Sequence, residues 1–157
     1  MTIREARADD LEALVALNAE IQTLHHQALP QLFKPAAAEP AKAYFAALMG
    51  EAANRFLLAN ADEAVAGYLF CERRERPETA LTYASRALYI HHLGVRPGYR
   101  RQGIGRGLMA AARSLAAETA CGRIEVDFWA FNDAARDFYA ALGFVSCNER
   151  WWQETRA

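Results

Sequence analysis

The chain lacks the sequence features that mark several large classes of protein. Its three cysteines, Cys71, Cys121 and Cys147, are far apart and form no CxxC pair. This spacing argues against a disulfide framework and against a metal site, and it fits reduced thiols. There is no apolar run of about 18 residues, and the N-terminal segment is charged where a signal peptide would be apolar. We therefore expect a cytoplasmic protein with no membrane partner.

An excess of charge of one sign is also missing. Lysine and arginine number 18 against 19 acidic residues, for a formal net charge of −1 over 157 residues. No overall field would recruit nucleic acid or an anionic membrane, so any anion site must come from local clustering. Arginines do cluster in one segment, at Arg96, Arg100, Arg101 and Arg106.

Apolar periodicity divides the chain into alternating strands and helices. We predict strands at 2–6, on either side of a turn at 61–63, at 87–95, at 123–130 and at 144–152. We predict helices from an Asp9 N-cap with Glu12 in a capping box, at 41–49, from 104 to about 122, and at 133–142. The segments 25–40 and 72–79 are polar or proline-containing and are predicted to be connections. This order indicates an α/β fold in one domain.

The segment VRPGYRRQGIGRGLM, Val95–Met109, combines glycines, arginines and the start of a helix. Glycines at 103 and 105 allow consecutive backbone N–H groups to turn toward one point. These amides lie at the positive end of the helix dipole and favour an anion. Arg101 and Arg106 add side-chain charge there, so a pyrophosphate is the ligand that we expect.

Other interpretations of this segment fit less well. A dinucleotide-binding turn requires G-x-G-x-x-G directly after a strand. Here the third glycine is missing and residues 96–102 intervene, although Asp127 lies about where a ribose-binding acid would be. The G-K-[ST] of a Walker A loop is absent, and a nucleic-acid surface would need more positive charge and stacking aromatics. A glycine-rich helix start with solvated arginines remains open from this segment alone.

Two ordered motifs resemble those of a known family. LGVRPGYRRQGIGRGLM is similar to the signature R/Q-x-x-G-x-G/A, and NDAARDFYAALGF is similar to N-x-x-A-x-x-F-Y-x-x-x-G-F. In this order, over residues 87–145, they resemble the GNAT superfamily of acyl-CoA-dependent N-acetyltransferases. The resemblance implies one domain over residues 1–157, in which a mixed central sheet of about six or seven strands is flanked by about four helices.

The resemblance also implies a cofactor site for acetyl-CoA as co-substrate. The cofactor would lie between two splayed parallel strands, 87–95 and 123–130. The residues implied for the pyrophosphate are Arg100, Arg101, Gln102, Gly103, Gly105 and Arg106. Those implied for the pantetheine arm are Leu93, Val95 and Asn132, the last of which could instead, or also, cap the final helix.

Acyl transfer to an amine needs an acid and a base. By family likeness, Tyr139 is the expected general acid for the departing thiolate. Many relatives carry Glu or Asp in the central strand, whereas this chain has His91 and His92, whose ordinary pKa near 6.5 suits base catalysis. The two rings should face opposite sides of the strand unless a bulge intervenes, and we favour His91. Glu125 and Asp127 are alternatives that would act through water.

The acceptor is expected to be a primary amine of a small molecule or peptide. We expect it to contact residues 22–35, including His25 and His26, and a group of aromatic side chains, Trp129, Phe131, Trp151 and Trp152. The length of the acyl group stays open, and the resemblance leaves a homodimer open. A non-catalytic acyl-CoA-binding regulatory module is the alternative function.

Overall fold

The protein is described by a computed structural model over residues 1–155. In that part of the chain five strands form one sheet, in the order in which they occur along the chain. The first four strands pair antiparallel and the last pair is parallel, so the sheet is mixed, as predicted. The strands are β1 (Thr2–Glu5), β2 (Asn54–Ala61), β3 (Ala64–Arg76), β4 (Ser85–Val95) and β5 (Arg123–Val126). The α-helices are α1 (Leu11–Ala28), α2 (Ala38–Met49), α3 (Ile104–Glu118) and α4 (Asp133–Ala140).

The turn between β2 and β3 confirms the predicted hairpin. Asp62 and Glu63 have φ of 49° and 65°, the positive values that a type I′ turn requires at both central positions. Ala61 pairs with Ala64 across the turn. The right-handed twist of the two strands is thereby matched by the turn.

The first helix begins one residue later than predicted. Residues Ala8–Asp10 form a 3₁₀ turn, so the N-cap of α1 is Asp10 and not the predicted Asp9. The Asp10 carboxylate accepts the Arg7 backbone N–H at 2.8 Å and both Arg4 guanidinium N–H groups at 2.7 Å. The hydrogen bonds from Arg4 are the main cause that lowers the pKa of Asp10 to about 2.

Helices cover both faces of the sheet. On one face α1 and α2 bury a cluster of apolar side chains, namely Leu14, Val15, Leu17, Phe45, Phe56, Leu58, Tyr68 and Phe70. On the other face α3 lies so close that a Cβ added to Gly67 would be 3.2 Å from Ile104 Cγ2. A Cβ added to Gly107 would be 2.7 Å from Met1 Cε. The small residue at 107 therefore allows α3 to approach the N-terminal end of the chain.

Several predicted boundaries are wrong. β3 continues to Arg76, because it pairs with β4 as far as Ser85 and Arg76 forms an ion pair with Glu125. α1 continues through His25 and His26 to Ala28, since no proline occurs before position 30.

The sheet has fewer strands than the six or seven predicted. β5 ends at Val126, so residues 127–130 do not extend the parallel pair. Residues 144–152 form no strand, and Val145 and Trp151 are 86% and 85% exposed. The polar run at 148–150 interrupts the alternation of buried and exposed side chains that a half-buried strand needs.

The residues group into two compact units. One is Met1–Asp127, and the second begins at Phe128. The domain span predicted from the sequence, 1–157, stays a prediction. No described helix has the length and apolar character needed to cross a membrane. Within residues 1–155 no three metal-binding side chains come together at a point.

Candidate active site

The start of α3 presents backbone amides that the helix itself does not use. Gly103 is the N-cap, with φ of 85°, and its carbonyl accepts the Gly107 N–H at 2.9 Å. That bond is the first of the helix, so the N–H groups of residues 103–106 have no partner within it. No side chain caps this end. The free amides and the helix dipole form an environment that suits an anion.

The loop that leads into α3 is held in shape by its own side chains. Arg100 Nε donates to the Val95 carbonyl at 2.9 Å, and its Nη2 lies 3.4 Å from the Glu20 carboxylate. Gln102 Nε2 donates to the Gly98 carbonyl at 2.9 Å. Arg101 adopts φ of 61°, an uncommon value for a residue with a side chain, which turns the chain into the helix. The side chains of Arg100 and Gln102 thus stabilise the loop whose residues the family resemblance assigns to the cofactor.

The last five residues of β4, 91–95, have no partner on the edge that faces β5. Parallel pairing joins 87–90 to 123–126 and does not extend past Ile90. The Arg96 N–H bonds to the Ala66 carbonyl of the preceding strand at 2.9 Å. Because main-chain groups alternate in direction along a strand, those of Leu93 and Val95 face the unpaired edge. These are the two residues that the sequence assigns to a pantetheine arm.

A β-bulge in β4 determines where the two histidines lie. Phe70 pairs with His92 and the next residue, Cys71, pairs with Ile90, so His91 is the extra residue. The His91 ring stacks on Phe70 with centroids 4.5 Å apart, and the His92 ring meets the same Phe70 at 5.7 Å. The bulge therefore brings both rings to one side, where simple alternation would separate them.

His92 has a structural environment. Its Nδ1 lies 3.2 Å from the Tyr68 hydroxyl, which in turn accepts a hydrogen bond from Asn18 at 3.0 Å. Burial lowers the pKa of His92 to about 4, so the ring is neutral at neutral pH. Its Nδ1 then accepts the Tyr68 O–H. These contacts engage His92 in the packing beneath α1 and α2.

His91 has a different environment, which is polar and half-exposed. Its Nε2 lies 2.8 Å from the Glu72 carboxylate on β3. Glu72 also accepts a hydrogen bond from Arg74 Nε at 2.8 Å. Burial lowers the pKa of His91, and Glu72 acts in the opposite direction. His91 is thus the histidine of the pair whose ring has a carboxylate partner.

The carboxylates considered as alternative bases already have partners. Glu125 lies 2.6 Å from Arg123 Nε and 3.5 Å from Arg76 Nη2. Asp127 accepts the Tyr89 O–H at 2.8 Å, and this contact helps to raise the pKa of Tyr89 to about 12, after burial.

Tyr139 and Asn132 lie in the unit that begins at Phe128. Tyr139 is 6% exposed and packs against the rings of Phe128, Phe138 and Phe144. Burial raises its pKa above the ordinary value, so the phenol stays protonated at neutral pH. The Asn132 side chain accepts the Ala135 N–H at 3.0 Å and caps α4, which is one of the two roles predicted for it.

The side chains predicted to contact an acceptor are distributed as follows. His25 and His26 lie in the last turn of α1, where the His25 ring stacks on Phe33 and His26 Nδ1 donates to the Phe33 carbonyl at 2.7 Å. In the second unit Trp129 packs on Trp152 with centroids 5.6 Å apart. Their part in acceptor binding stays a prediction.

Sequence reasoning missed Glu72 and Arg74. They stand in the segment ERRERPET, residues 72–79, which was predicted to be a connection because it is polar and contains a proline. The available signal was the alternation after Phe70, since Glu72 and Arg74 continue the same strand face at intervals of two.

The chain is similar to known proteins in sequence and in fold. The sequence profile of the acetyltransferase (GNAT) family matches residues 19–144. A bovine (Bos taurus) thialysine N-epsilon-acetyltransferase is 32% identical over 68 residues, which cover 43% of this chain and 40% of that protein. The match thus spans less than half of the curated relative.

Solved structures resemble the whole chain. A mutant of the BH1408 protein from Bacillus halodurans has a TM-score of 0.92 at 25% identity, with all of both chains covered. An aminoglycoside antibiotic 6′-N-acetyltransferase from Acinetobacter haemolyticus has a TM-score of 0.79 at 18% identity, covering 100% of this chain and 99% of its own. A further aminoglycoside enzyme, AAC(6′)-Iy, was crystallised with a bisubstrate analogue of CoA and has a TM-score of 0.77 at 18% identity, covering 99% of this chain and 98% of its own.

The mixed sheet covered by helices on both faces is an α/β fold, and the start of α3 presents free amides that suit an anion. Because the profile match extends over most of its length, the chain belongs to the acetyltransferase (GNAT) family.

Proposed function

We propose that the chain is an N-acetyltransferase that moves an acetyl group from acetyl-CoA to a primary amine by direct attack in a ternary complex. The observation that carries the proposal is the start of α3, where unpaired amides, Arg101 and Arg106 lie at the end of the unpaired β4 edge. CoA, as in the complexes of structural neighbours, has a diphosphate that matches the amides and an arm that could add to the strand.

The residues that line this region fit such a ligand. A Cβ at Gly103 would meet nothing within 4 Å, so the space in front of the amides is open. We assign the pyrophosphate to the main chain of 101–106, and the pantetheine arm to the main chain of Leu93 and Val95. Bound acetyl-CoA would supply the thioester that the amine attacks.

Proton transfer is assigned to His91 and Tyr139. An alkylamine has a pKa near 10.4 and reaches the enzyme as ammonium, so a base must remove a proton before attack. His91 is half-exposed beside Glu72 and takes this role, whereas His92 is held by Tyr68. Tyr139, which burial keeps protonated, donates to the departing thiolate.

The acceptor is assigned only by chemical class, as an alkyl primary amine. The bovine relative is named for acetylation of an ε-amine, and two of the structural neighbours are named for acetylation of aminoglycosides. Both acceptor classes present an alkyl amine that is charged at neutral pH. A panel of polyamines, amino acids, aminoglycosides and arylamines, assayed by release of CoA thiol, would identify the preferred acceptor.

The test of the general acid is Tyr139→Phe, assayed with the best acceptor of the panel. Within residues 128–155 the Tyr139 hydroxyl has no hydrogen-bond partner, so the variant should fold as the wild type does. We expect kcat to fall at least about tenfold, because general acid catalysis is worth that or more. Tyr83→Phe, at a residue that is 91% exposed, is the matched control. Equal kcat in Tyr139→Phe and wild type across the pH range would remove Tyr139 from the mechanism.

The alternative, a regulatory module that binds acyl-CoA without turnover, makes a different prediction. Calorimetry would then show CoA binding while no member of the panel released thiol.

A further inference from the structure

A continuous series of side-chain contacts begins at Asp127, directly after β5, and crosses β4 and β3. Asp127 accepts the Tyr89 O–H at 2.8 Å, and the Arg74 guanidinium lies 3.4 Å from the centre of the Tyr89 ring. Arg74 donates to Glu72 at 2.8 Å, and the same Glu72 oxygen lies 2.8 Å from His91 Nε2. Each group thus contacts the next, and the series ends at the one histidine that is placed to act as a base.

The contact with Glu72 determines the tautomer of His91. An ionised carboxylate can only accept hydrogen bonds. The hydrogen bonds and charges of Arg74 and His91 oppose the effect of burial and lower the pKa of Glu72, so the carboxylate is ionised at neutral pH. His91 Nε2 must therefore carry the proton and donate it to Glu72. The lone pair of the neutral ring is then on Nδ1, which has no hydrogen-bond partner within residues 1–155.

The ring plane of His91 is fixed from two further directions. Phe70 stacks on it at 4.5 Å with 11° between the planes, and Tyr89 meets it edge-on at 4.8 Å. Rotation about the side-chain bonds would lose the Phe70 stacking and the Glu72 hydrogen bond together. The direction of Nδ1 is consequently set by the fold and does not depend on a bound acceptor.

We propose that Glu72 is a positioning residue for acetyl transfer, which holds His91 in the Nε2–H tautomer so that Nδ1 takes the proton of the acceptor. The proposal rests on the proposed function, in which His91 is the base. The acceptor ammonium gives one proton to Nδ1, and the neutral amine nitrogen then forms the C–N bond at the thioester carbonyl. The C–S bond breaks, the sulfur takes its electron pair, and the thiolate receives a proton from Tyr139. The nitrogen loses its second proton to solvent water, and solvent returns a proton to the Tyr139 oxygen. The imidazolium that results is stabilised by the Glu72 carboxylate through Nε2–H.

Arg74 has a second part in this arrangement. It keeps Glu72 ionised, while its own positive charge acts on His91 in the direction opposite to that of Glu72. The titratable and charged groups that face His91 are Glu72 and Arg74 from β3, and Tyr89 and His92 from β4. Asp127 acts on it through Tyr89. Removal of the Glu72 charge should therefore lower the pKa of His91.

The first test compares Glu72→Gln and Glu72→Asp with wild type, using the full chain and the best acceptor of the panel. Glutamine keeps the size of the side chain but removes its charge. Its amide N–H can donate to Nε2, so the Nδ1–H tautomer of His91 also becomes accessible. We expect kcat of Glu72→Gln to fall at least about tenfold, with KM for acetyl-CoA within about twofold of wild type. The acidic limb of the pH profile of kcat should move to lower pH. Glu72→Asp should recover part of the loss.

A matched control comes from the same strand. Glu75→Gln removes an equal charge from the opposite face of β3, where Glu75 pairs with Arg86 at 3.0 Å. Its kcat and pH profile should match wild type. A kcat and pH profile of Glu72→Gln that equal those of wild type would overturn the proposal.

The second test does not depend on turnover. Nitrogen-15 NMR of the His91 ring reports which nitrogen carries the proton. We expect the Nε2–H form in wild type and a mixture, or the Nδ1–H form, in Glu72→Gln. An Nδ1–H ring in wild type, or the same tautomer in both proteins, would overturn the role of Glu72. Absence of thiol release with every acceptor would instead count against the proposed function, and the NMR result would still decide the role of Glu72.

Discussion

Substitution of Gly103 tests whether an anion binds at the start of α3. The position has two separable properties, a φ of 85° and open space where a Cβ would project. Gly103→Ala places a Cβ on this left-handed backbone and so introduces strain without charge. Gly103→Glu introduces the same strain and also adds a negative charge. The difference between the two variants therefore isolates the effect of charge on CoA binding.

Backbone strain lowers the melting temperature, whereas charge repulsion lowers the affinity for CoA. A left-handed backbone costs a residue with a Cβ about 1–2 kcal/mol, so both variants should melt about 2–8 °C below wild type. A glutamate charge roughly 6 Å from a phosphate costs about 2.8 kcal/mol at an effective dielectric constant of about 20. This corresponds to an affinity for CoA about a hundredfold lower in Gly103→Glu than in Gly103→Ala.

Calorimetric titration with CoA at fixed ionic strength gives the affinities. Gly122→Glu is the charge control, because it adds the same charge beyond the far end of α3, where a Cβ would be 3.9 Å from its nearest neighbour, the Arg86 carbonyl. The helix of 15 residues spans about 22 Å, more than twice the screening length near 0.15 M salt. The control should bind CoA as wild type does. Equal affinities of Gly103→Ala and Gly103→Glu would refute the placement of the diphosphate.

Two further predictions concern the dependence of stability on pH. The pKa of Asp10 is about 2 in the fold against 3.8 unfolded, so its contacts with Arg4 and Arg7 together contribute up to about 2 kcal/mol above pH 4. This contribution is lost as the pH falls toward 2. Asp10→Asn should remove that contribution at pH 7 in urea unfolding; an unchanged free energy of unfolding would contradict it. The pKa of His92 is about 4 against 6.5 unfolded, so burying the neutral ring carries no protonation cost above pH 6.5. The free energy of unfolding falls by up to about 3 kcal/mol as the pH is lowered from 6.5 toward 4. In His92→Asn the slope over that range should be smaller, and an identical slope would show that His92 does not titrate as described.

The sequence predicted those parts of the fold that local chemistry determines. The hairpin turn at Asp62 and Glu63 and the glycine-rich start of α3 follow from short patterns. The bounds of β3 and β5 depend on which strands and side chains lie beside them. CERRER has the composition of a loop and becomes strand because it pairs with β4, where Glu72 contacts His91 and Arg74 contacts Tyr89.

The candidate site shows the same division. The start of α3 was predicted because its amides, glycines and arginines are adjacent in sequence. The pairing of Glu72 with His91 joins residues 19 positions apart through a register that includes a bulge, which no local pattern encodes. Strand alternation alone therefore could not decide between His91 and His92.

The bulge at His91 is a one-residue insertion that changes which residues of β4 direct their main-chain groups to each edge of the strand. Ahead of it the strand pairs on both edges, and beyond it Leu93 and Val95 direct their amides to the unpaired edge. Because Phe70 pairs with His92 and Cys71 with Ile90, removal of His91 would leave a regular strand in which Leu93 and Val95 still face the unpaired edge. A relative that lacks the extra residue therefore needs a gap at this point of an alignment. Without the gap, each residue after the bulge would be matched to one whose main-chain groups face the other edge.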